Sequence, residues 1–337
     1  MTFRILGRTG IRVSPLTLGA MNFGNRTTPE DSQRIIDRAI AANINFIDTA
    51  NVYSKGRSEE IVGEALKKNG HRHHIVLATK VHGNMHSDDP LDPNQNSNSR
   101  RQIIEQCEAS LRRLQTDYID LYQIHRPEPT NPIDETLRAL DDLVHAGKVR
   151  YIGCSTFAAW QVIESLWVSK ELGLNRFVTE QPPYNLLDRR IERELIPAAL
   201  TYGFGLIPWS PLAGGFLTGK YVRKGTQPDG RFSDGTRKRA SALLANERAF
   251  DAVDALNGLA IEKGVPLSQF ALAWTIHQPG ITSPIIGPRT LEQLEDNLKA
   301  LEVTITEQDR TRIDAVVPPG EVTAPFYQAQ FGPNARW

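Results

Sequence analysis

Hydrophobic and polar positions along this chain repeat at two alternating periods. Short apolar runs that end on polar side chains are separated by stretches in which apolar residues recur every third or fourth position. The short runs fall at 16–20, 45–48, 75–80, 119–125, 149–155, 177–181, 205–209 and 282–286. Between them lie helical patterns, such as Ile35, Ile36, Ala39 and Ile40, or Leu137, Leu140, Leu143 and Val144, each with one apolar face. Some carry start signals: Thr28 followed by Pro29, Ser58 ahead of Glu59 and Glu60, and Asn131-Pro132 ahead of Asp134 and Glu135. Beyond the N-terminal segment no strand is followed directly by a hairpin partner, which argues for parallel βαβ units. Eight such units could close into a barrel or lie open as a doubly wound sheet. No Gly-x-Gly-x-x-Gly follows the first strand, as a dinucleotide-binding open sheet would need. The pattern therefore predicts an α/β fold, a (β/α)8 TIM barrel.

Segments outside the repeat add detail. Residues 3–13, with Gly7 and Gly10 between apolar runs, read as a hairpin plugging the N-terminal mouth of the barrel. Stretches 84–99 and 211–239, rich in turn-forming or basic residues, read as long loops on the opposite, C-terminal face. The tail at 318–337 lacks any period and is expected over the surface or mouth, so the whole of 1–337 reads as one barrel domain. A barrel of roughly 250 residues with insertions fits this length.

Composition narrows the function. Lys plus Arg and Asp plus Glu number 39 each, so no global field favours nucleic acid or an anionic membrane. No apolar run reaches the ~18 residues of a membrane span, and the first residues lack a signal-like apolar region, so a soluble, cytoplasmic protein is the expectation. The sequence leaves homo-oligomerisation open. Cys107 and Cys154 form no Cys-x-x-Cys pair and read as buried thiols.

The chemistry sits where barrels place it, at the C-terminal ends of strands. Asp48 ends the second strand, Tyr53 follows in its loop, Lys80 ends the third and His125 the fourth. Singly, each has an ordinary structural explanation, as a turn cap, a packed ring or a core imidazole. Together they supply an acid for a carbonyl oxygen, because a lysine paired to Asp48 would bring the phenol of Tyr53 down from a reference pKa of about 10. His125 would donate a hydrogen bond to the same oxygen. No nucleophile and no metal cluster accompanies them, so the electrons must come from elsewhere. Ser155, Gln181 and Trp209-Ser210 end later strands and suit a carboxamide and a flat heterocycle. After the eighth strand Gly287-Pro288-Arg289 leads into a helix bearing Gln293 and Asn297, a phosphate-binding arrangement.

With these residues in place the chain resembles an aldo-keto reductase over roughly residues 3–301. The resemblance is carried by Leu18-Gly19-Ala20-Met21-Asn22-Phe23-Gly24, by Asp48 to Tyr53, by Ala78-Thr79-Lys80 and by Gly147-Lys148-Val149-Arg150-Tyr151-Ile152-Gly153. Gln181-Pro182-Pro183-Tyr184-Asn185 and Pro208-Trp209-Ser210-Pro211-Leu212 with Gly219-Lys220 continue it. It implies an NADPH-dependent reductase of an aldehyde, ketone or keto sugar, with Tyr53 as general acid, Lys80 and Asp48 tuning it, and His125 orienting the carbonyl. It implies a cofactor site of Gly19, Met21, Asp48, Ser155, Gln181, Trp209, Ser210, Pro211, Leu212, Gly214, Lys220, Gly287, Arg289, Gln293 and Asn297. The loop after Trp209 would cover the pyrophosphate and Arg289 would meet the 2′-phosphate. Asn22, Tyr53, His125 and Arg126 would face the substrate. Thr156 departs from the family's usual Asn, and Arg126 beside His125 is atypical and favours anionic or polyhydroxylated substrates.

Two other classes are weighed. A cofactor-sensing regulatory subunit, like the potassium-channel β-subunits of the same group, would need a docking surface, and neither an N-terminal arm nor an exposed apolar stripe is legible. A metal-dependent barrel hydrolase would need ligands at the end of the first strand, where Gly19-Ala20-Met21 offers none. The His71-Arg72-His73-His74 cluster precedes the third strand, at the opposite mouth, and reads as a solvated turn.

Overall fold

A computed structural model describes residues 2–83, 85, 94, 97–128, 130–227, 230 and 243–324. Eight strands form one parallel sheet: β3 (Thr17–Gly19), β4 (Phe46–Asp48), β5 (Val76–Val81), β6 (Ile119–Ile124), β7 (Val149–Ser155), β8 (Phe177–Gln181), β9 (Gly205–Leu206) and β10 (Ile285–Ile286). They run in spatial order from β3 to β9, with β10 beside β3. The remaining seam is stitched by backbone bonds from Thr282 N to Leu206 O at 2.8 Å and from Ile285 N to Pro208 O at 2.8 Å. The expected barrel is present. β9 and β10 are shorter than the expected runs, since Pro208 and Pro284 have no N–H to give the ladder.

Helices lie outside the strands: α1 (Pro29–Ala41), α2 (Arg57–Asn69), α3 (Arg100–Leu114), α4 (Ile133–His145), α5 (Ala159–Leu172), α6 (Leu195–Tyr202), α7 (Glu247–Glu262), α8 (Leu267–Ile276), α9 (Leu291–Lys299) and α10 (Glu307–Val316). Thr28 caps α1 through Asp31 N with Pro29 at its start, as its sequence indicates. Two starts differ. α2 begins after Gly56, and Ser58 instead bonds Ala20 O and Thr49 Oγ1, tying the helix to the barrel rim. α4 begins after Pro132 with no side-chain cap.

The strand period of two sorts side chains into separate cores. Leu77, Tyr122 and Ile124 face the helices, whereas Phe46, Val76, Ala78, Leu121, Val178 and Ile207 fill the barrel interior. β1 (Arg4–Ile5) and β2 (Arg12–Val13) form the expected antiparallel hairpin, whose Leu6 and Val13 close the base of that interior. The start of the tail is anchored, with Arg189 N on Glu321 O and Thr323 N on Leu187 O. Residues 325–337 and most of 84–96 and 228–242 lie outside the described residues. α5 leaves Trp160 and Trp167 47% and 64% exposed, an apolar face that the sequence reading did not separate from core positions.

Gly7 shows how closely the plug is seated. Its φ is +55°, and an added Cβ would stand 2.2 Å from Val178 O. Gly7→Ala is expected to cost about 2–4 kcal/mol, combining a left-handed backbone penalty with overpacking. Urea unfolding measures it; a change below about 0.5 kcal/mol, the level of a neutral surface substitution, would show that the hairpin is not held by this contact.

Candidate active site

At the C-terminal mouth the interior lining changes from apolar to polar. Along β5 the inward positions run Val76, Ala78, Lys80, and along β6 they run Leu121, Gln123, with His125 just beyond. Lys80 is fully buried, and its ammonium has three hydrogens. They go to Asp48 Oδ2 at 2.5 Å, to Thr49 O at 2.8 Å and, at a longer 3.4 Å, to Tyr53 Oη. Burial depresses the lysine pKa, but the charge of Asp48 and the interactions with Tyr53 outweigh it and leave the pKa above the usual lysine value. The group is a fixed cation.

Asp48 is satisfied on both oxygens. Oδ1 accepts from Gln123 Nε2 at 3.1 Å and from Gln181 Nε2 at 3.0 Å, and Gln181 Nε2 also reaches Gln123 Oε1 at 3.3 Å. A carboxylate only accepts, so both amides turn their N–H sides toward it. Gln123 was missed in the sequence reading, although strand parity two residues before His125 marks it as inward-facing.

Tyr53 is delivered by a tight turn in which Ser54, Lys55 and Gly56 have φ of 50°, 53° and 94°. Ser54 Oγ holds the turn by donating to Phe23 O at 3.0 Å. The Tyr53 ring stands edge-on to His125, centroids 5.6 Å apart. Because an ammonium cannot accept, Lys80 is the donor to Tyr53 Oη, which frees the phenolic hydrogen to point elsewhere. Burial, and then the charges of Arg126, Lys80 and His82, drive the His125 pKa well below the usual imidazole value. The ring is neutral at neutral pH.

The remaining sequence-derived positions form a row over the ends of β7, β8, β9, β10 and β3. Ser155 Oγ donates to Gln181 O at 2.9 Å. Thr156 adopts φ 60°, a strained choice for a β-branched residue, and its hydroxyl turns back to Ser155 O at 2.6 Å. Trp209 N bonds Pro182 O at 2.9 Å, and Ser210, Ala213, Gly214 and Gly215 all have positive φ, so Pro211 and Leu212 lie in a tightly coiled segment. Lys220 Nζ lies 5.1 Å from the Tyr221 ring. Arg26, beyond β3, reaches Gly230 O at 3.0 Å, so the long loop after β9 touches the opposite rim. Asn22 Nδ2 donates to Gly287 O at 3.0 Å. Gln293 Oε1 accepts from Arg289 N at 2.8 Å at the start of α9, and Asn297 is buried one turn on. Met21 is exposed at the rim. Gly19 has a packing reason as well, since a Cβ there would meet Ile285 Cγ2 at 2.6 Å. Among the described residues no group of three or more His, Cys, Asp or Glu is placed to hold a metal. No described helix is long and apolar enough to cross a membrane.

Comparison with known proteins agrees with this architecture. The chain is 39% identical over 339 residues to an uncharacterized oxidoreductase, YrpG, of Bacillus subtilis (strain 168), covering 97% of this chain and 99% of that one. It is 38% identical to a probable voltage-gated potassium channel subunit beta of Oryza sativa subsp. japonica (94% and 97% covered). It is 36% identical to a versiconal hemiacetal acetate reductase of Aspergillus parasiticus (92% and 95% covered). The model of the aldo/keto reductase family matches residues 15–318. With the barrel, the strand-end polar cluster and these likenesses in hand, the chain belongs to the aldo/keto reductase family of oxidoreductases.

Proposed function

We propose that the protein is an NADPH-dependent reductase of a small aldehyde, ketone or keto sugar, built as one barrel domain, with Tyr53 as the general acid. The observation that carries this is the 3.4 Å approach of the buried Lys80 ammonium to Tyr53 Oη. A fixed cation there stabilises the negative charge left on the phenolic oxygen as its proton moves to the substrate. Asp48 holds Lys80 in place, and Gln123 and Gln181 hold Asp48. Neutral His125 donates to the carbonyl oxygen and orients it beside Tyr53.

The residues present suit a nicotinamide cofactor. Gln181 keeps its carbonyl oxygen available because its amide hydrogens face Asp48 and Gln123. With the Ser155 hydroxyl it offers an acceptor and a hydroxyl to a carboxamide, while Thr156, turned back on Ser155 O, adds less than an asparagine would. Gly19, Met21 and Trp209 line the approach. Asn22 and Arg126 are assigned to the substrate side. Ser210, Pro211, Leu212, Gly214 and Lys220 would meet the pyrophosphate, and Gly287, Arg289, Gln293 and Asn297 the adenosine end, where the start of α9 suits a phosphate. NADPH, when bound, supplies the hydride.

A second reading, a regulatory subunit, is favoured by the exposed Trp160 and Trp167 on α5 and by the relative named as a channel subunit. Cofactor release much slower than reduction of every carbonyl tried would support it over the first.

Tyr53→Phe is expected to retain NADPH binding while turnover falls by about 10²- to 10⁴-fold; a wild-type rate on a reactive aldehyde would refute the assignment. NADPH should bind about 10- to 100-fold more tightly than NADH, with Arg289→Ala removing most of the difference, as a charge-assisted phosphate contact implies. Equal dissociation constants by fluorescence titration would count against it. The buried His125 adds a pH dependence to stability. Its folded pKa is depressed, so the neutral ring's contribution is fully present above the unfolded pKa of about 6.5 and is lost as pH falls toward the folded value. Between pH ~7.5 and ~5.5, wild type should lose about 1.4 kcal/mol more than His125→Asn in urea unfolding. Parallel losses would mean the imidazole is not held neutral.

A further inference from the structure

Among the described residues, Arg126 at the mouth has no ion-pair partner. Arg126 is half-buried, and its Nη1 donates to His125 O at 2.7 Å and to Thr156 Oγ1 at 3.4 Å. These bonds pin the guanidinium between the ends of β6 and β7, and among the described residues it makes no ion pair and no bond through Nε or Nη2. Asn98 fixes the backbone from below by donating to Arg126 O at 2.8 Å.

Among the described residues, the nearby carboxyls of Asp48, Glu128 and Glu180 form no ion pair with Arg126, and each has a hydrogen-bond partner of its own. Asp48 is matched to Lys80. Glu128 Oε1 accepts from Thr130 Oγ1 at 2.7 Å. Glu180 is fully buried on the outer side of β8, where it accepts from Phe157 N at 3.0 Å. Burial pushes its pKa well above the usual carboxylate value in spite of that bond and of Arg126 nearby, which favours its neutral form. The neighbouring bases give no relief either: burial and the charge of Arg126 both hold His82 and His125 toward the neutral form. A partly desolvated guanidinium without an anion carries a cost that a docking anion removes. Its planar fork matches a carboxylate through two parallel hydrogen bonds.

We propose that the carbonyl substrate carries a carboxylate and that Arg126 receives it, one residue from the His125 that faces the carbonyl. This rests on the reductase reading. It makes Arg126 the residue that sets specificity, choosing oxo acids and carboxylated aldehydes over neutral carbonyl compounds. An anionic group of the cofactor shares this chemistry, and the experiment separates the two.

The test uses para-carboxybenzaldehyde and para-nitrobenzaldehyde, whose para groups have the same planar two-oxygen shape but differ in charge. The ratio of their kcat/KM values is compared between wild type, Arg126→Gln and Arg126→Lys, with NADPH dissociation constants measured alongside. The ratio should fall by about 10- to 100-fold in Arg126→Gln, as loss of a charge-assisted hydrogen bond implies, and recover in part in Arg126→Lys. A ratio within twofold of wild type in Arg126→Gln overturns the proposal. A collapse of NADPH affinity with the ratio intact also overturns it, assigning the guanidinium to the cofactor. If the wild-type protein reduces neither aldehyde with NADPH, the reductase reading fails before any variant is made, and the proposal falls with it.

Discussion

A lysine buried to zero exposure at the mouth of a barrel is the constraint that organises this molecule. Removing an ammonium from water is tolerable only if a counter-charge and hydrogen-bond acceptors replace the lost solvent, and removing one partner of such a pair typically costs about 3–5 kcal/mol. Every hydrogen of Lys80 is accordingly matched, and so are both oxygens of Asp48. The groups that do the matching come from β4, β5, β6, β8 and the loop after β4. The ion pair therefore demands that these strands close at one register, and the closed barrel in turn keeps water from it.

Strain is distributed to match. Among the described residues the non-glycine positions with positive φ are Asn43, Ser54, Lys55, Gln115, Thr156, Ser210 and Ala213. Ser54, Lys55, Thr156, Ser210 and Ala213 lie in the loops at the C-terminal mouth, and Asn43 and Gln115 are helix exits at the other end. Left-handed backbone in ordinary residues persists only where surrounding structure holds it, and such residues gather at functional sites. The opposite mouth is closed instead by the hairpin packed on Phe46, Val76 and Leu121. One end supplies stability and the other tolerates its loss.

The charge state of the mouth follows from depth rather than from composition. The chain as a whole is neutral. Yet burial holds two histidines and one glutamic acid toward their neutral forms, while Lys80 is held charged by Asp48 beside it. Arg126, among the described residues, keeps its place at the mouth without an ion-pair partner.

The sequence by itself determined the eight strands, the plug and the positions of Asp48, Lys80, His125 and Ser155, because strand parity and strand ends follow directly from a period of two. It did not reveal that Gln181 would reach Asp48. Simple alternation places Gln181 on the same face as Phe177, which packs outward among the helices. In the structure Ile152 pairs with Phe177 but Gly153 with Thr179, so Val178 is an extra residue, a β-bulge that reverses the parity. The bulge turns Gln181 into the barrel and Glu180 out of it. Strand parity marks Gln123 as inward-facing, but its bond to Asp48, the inward Ser58 contacts and the exposed tryptophans of α5 were hidden: each depends on which neighbour a side chain meets across the fold. Periodicity fixes a residue's face, whereas only the packed tertiary structure supplies its partner.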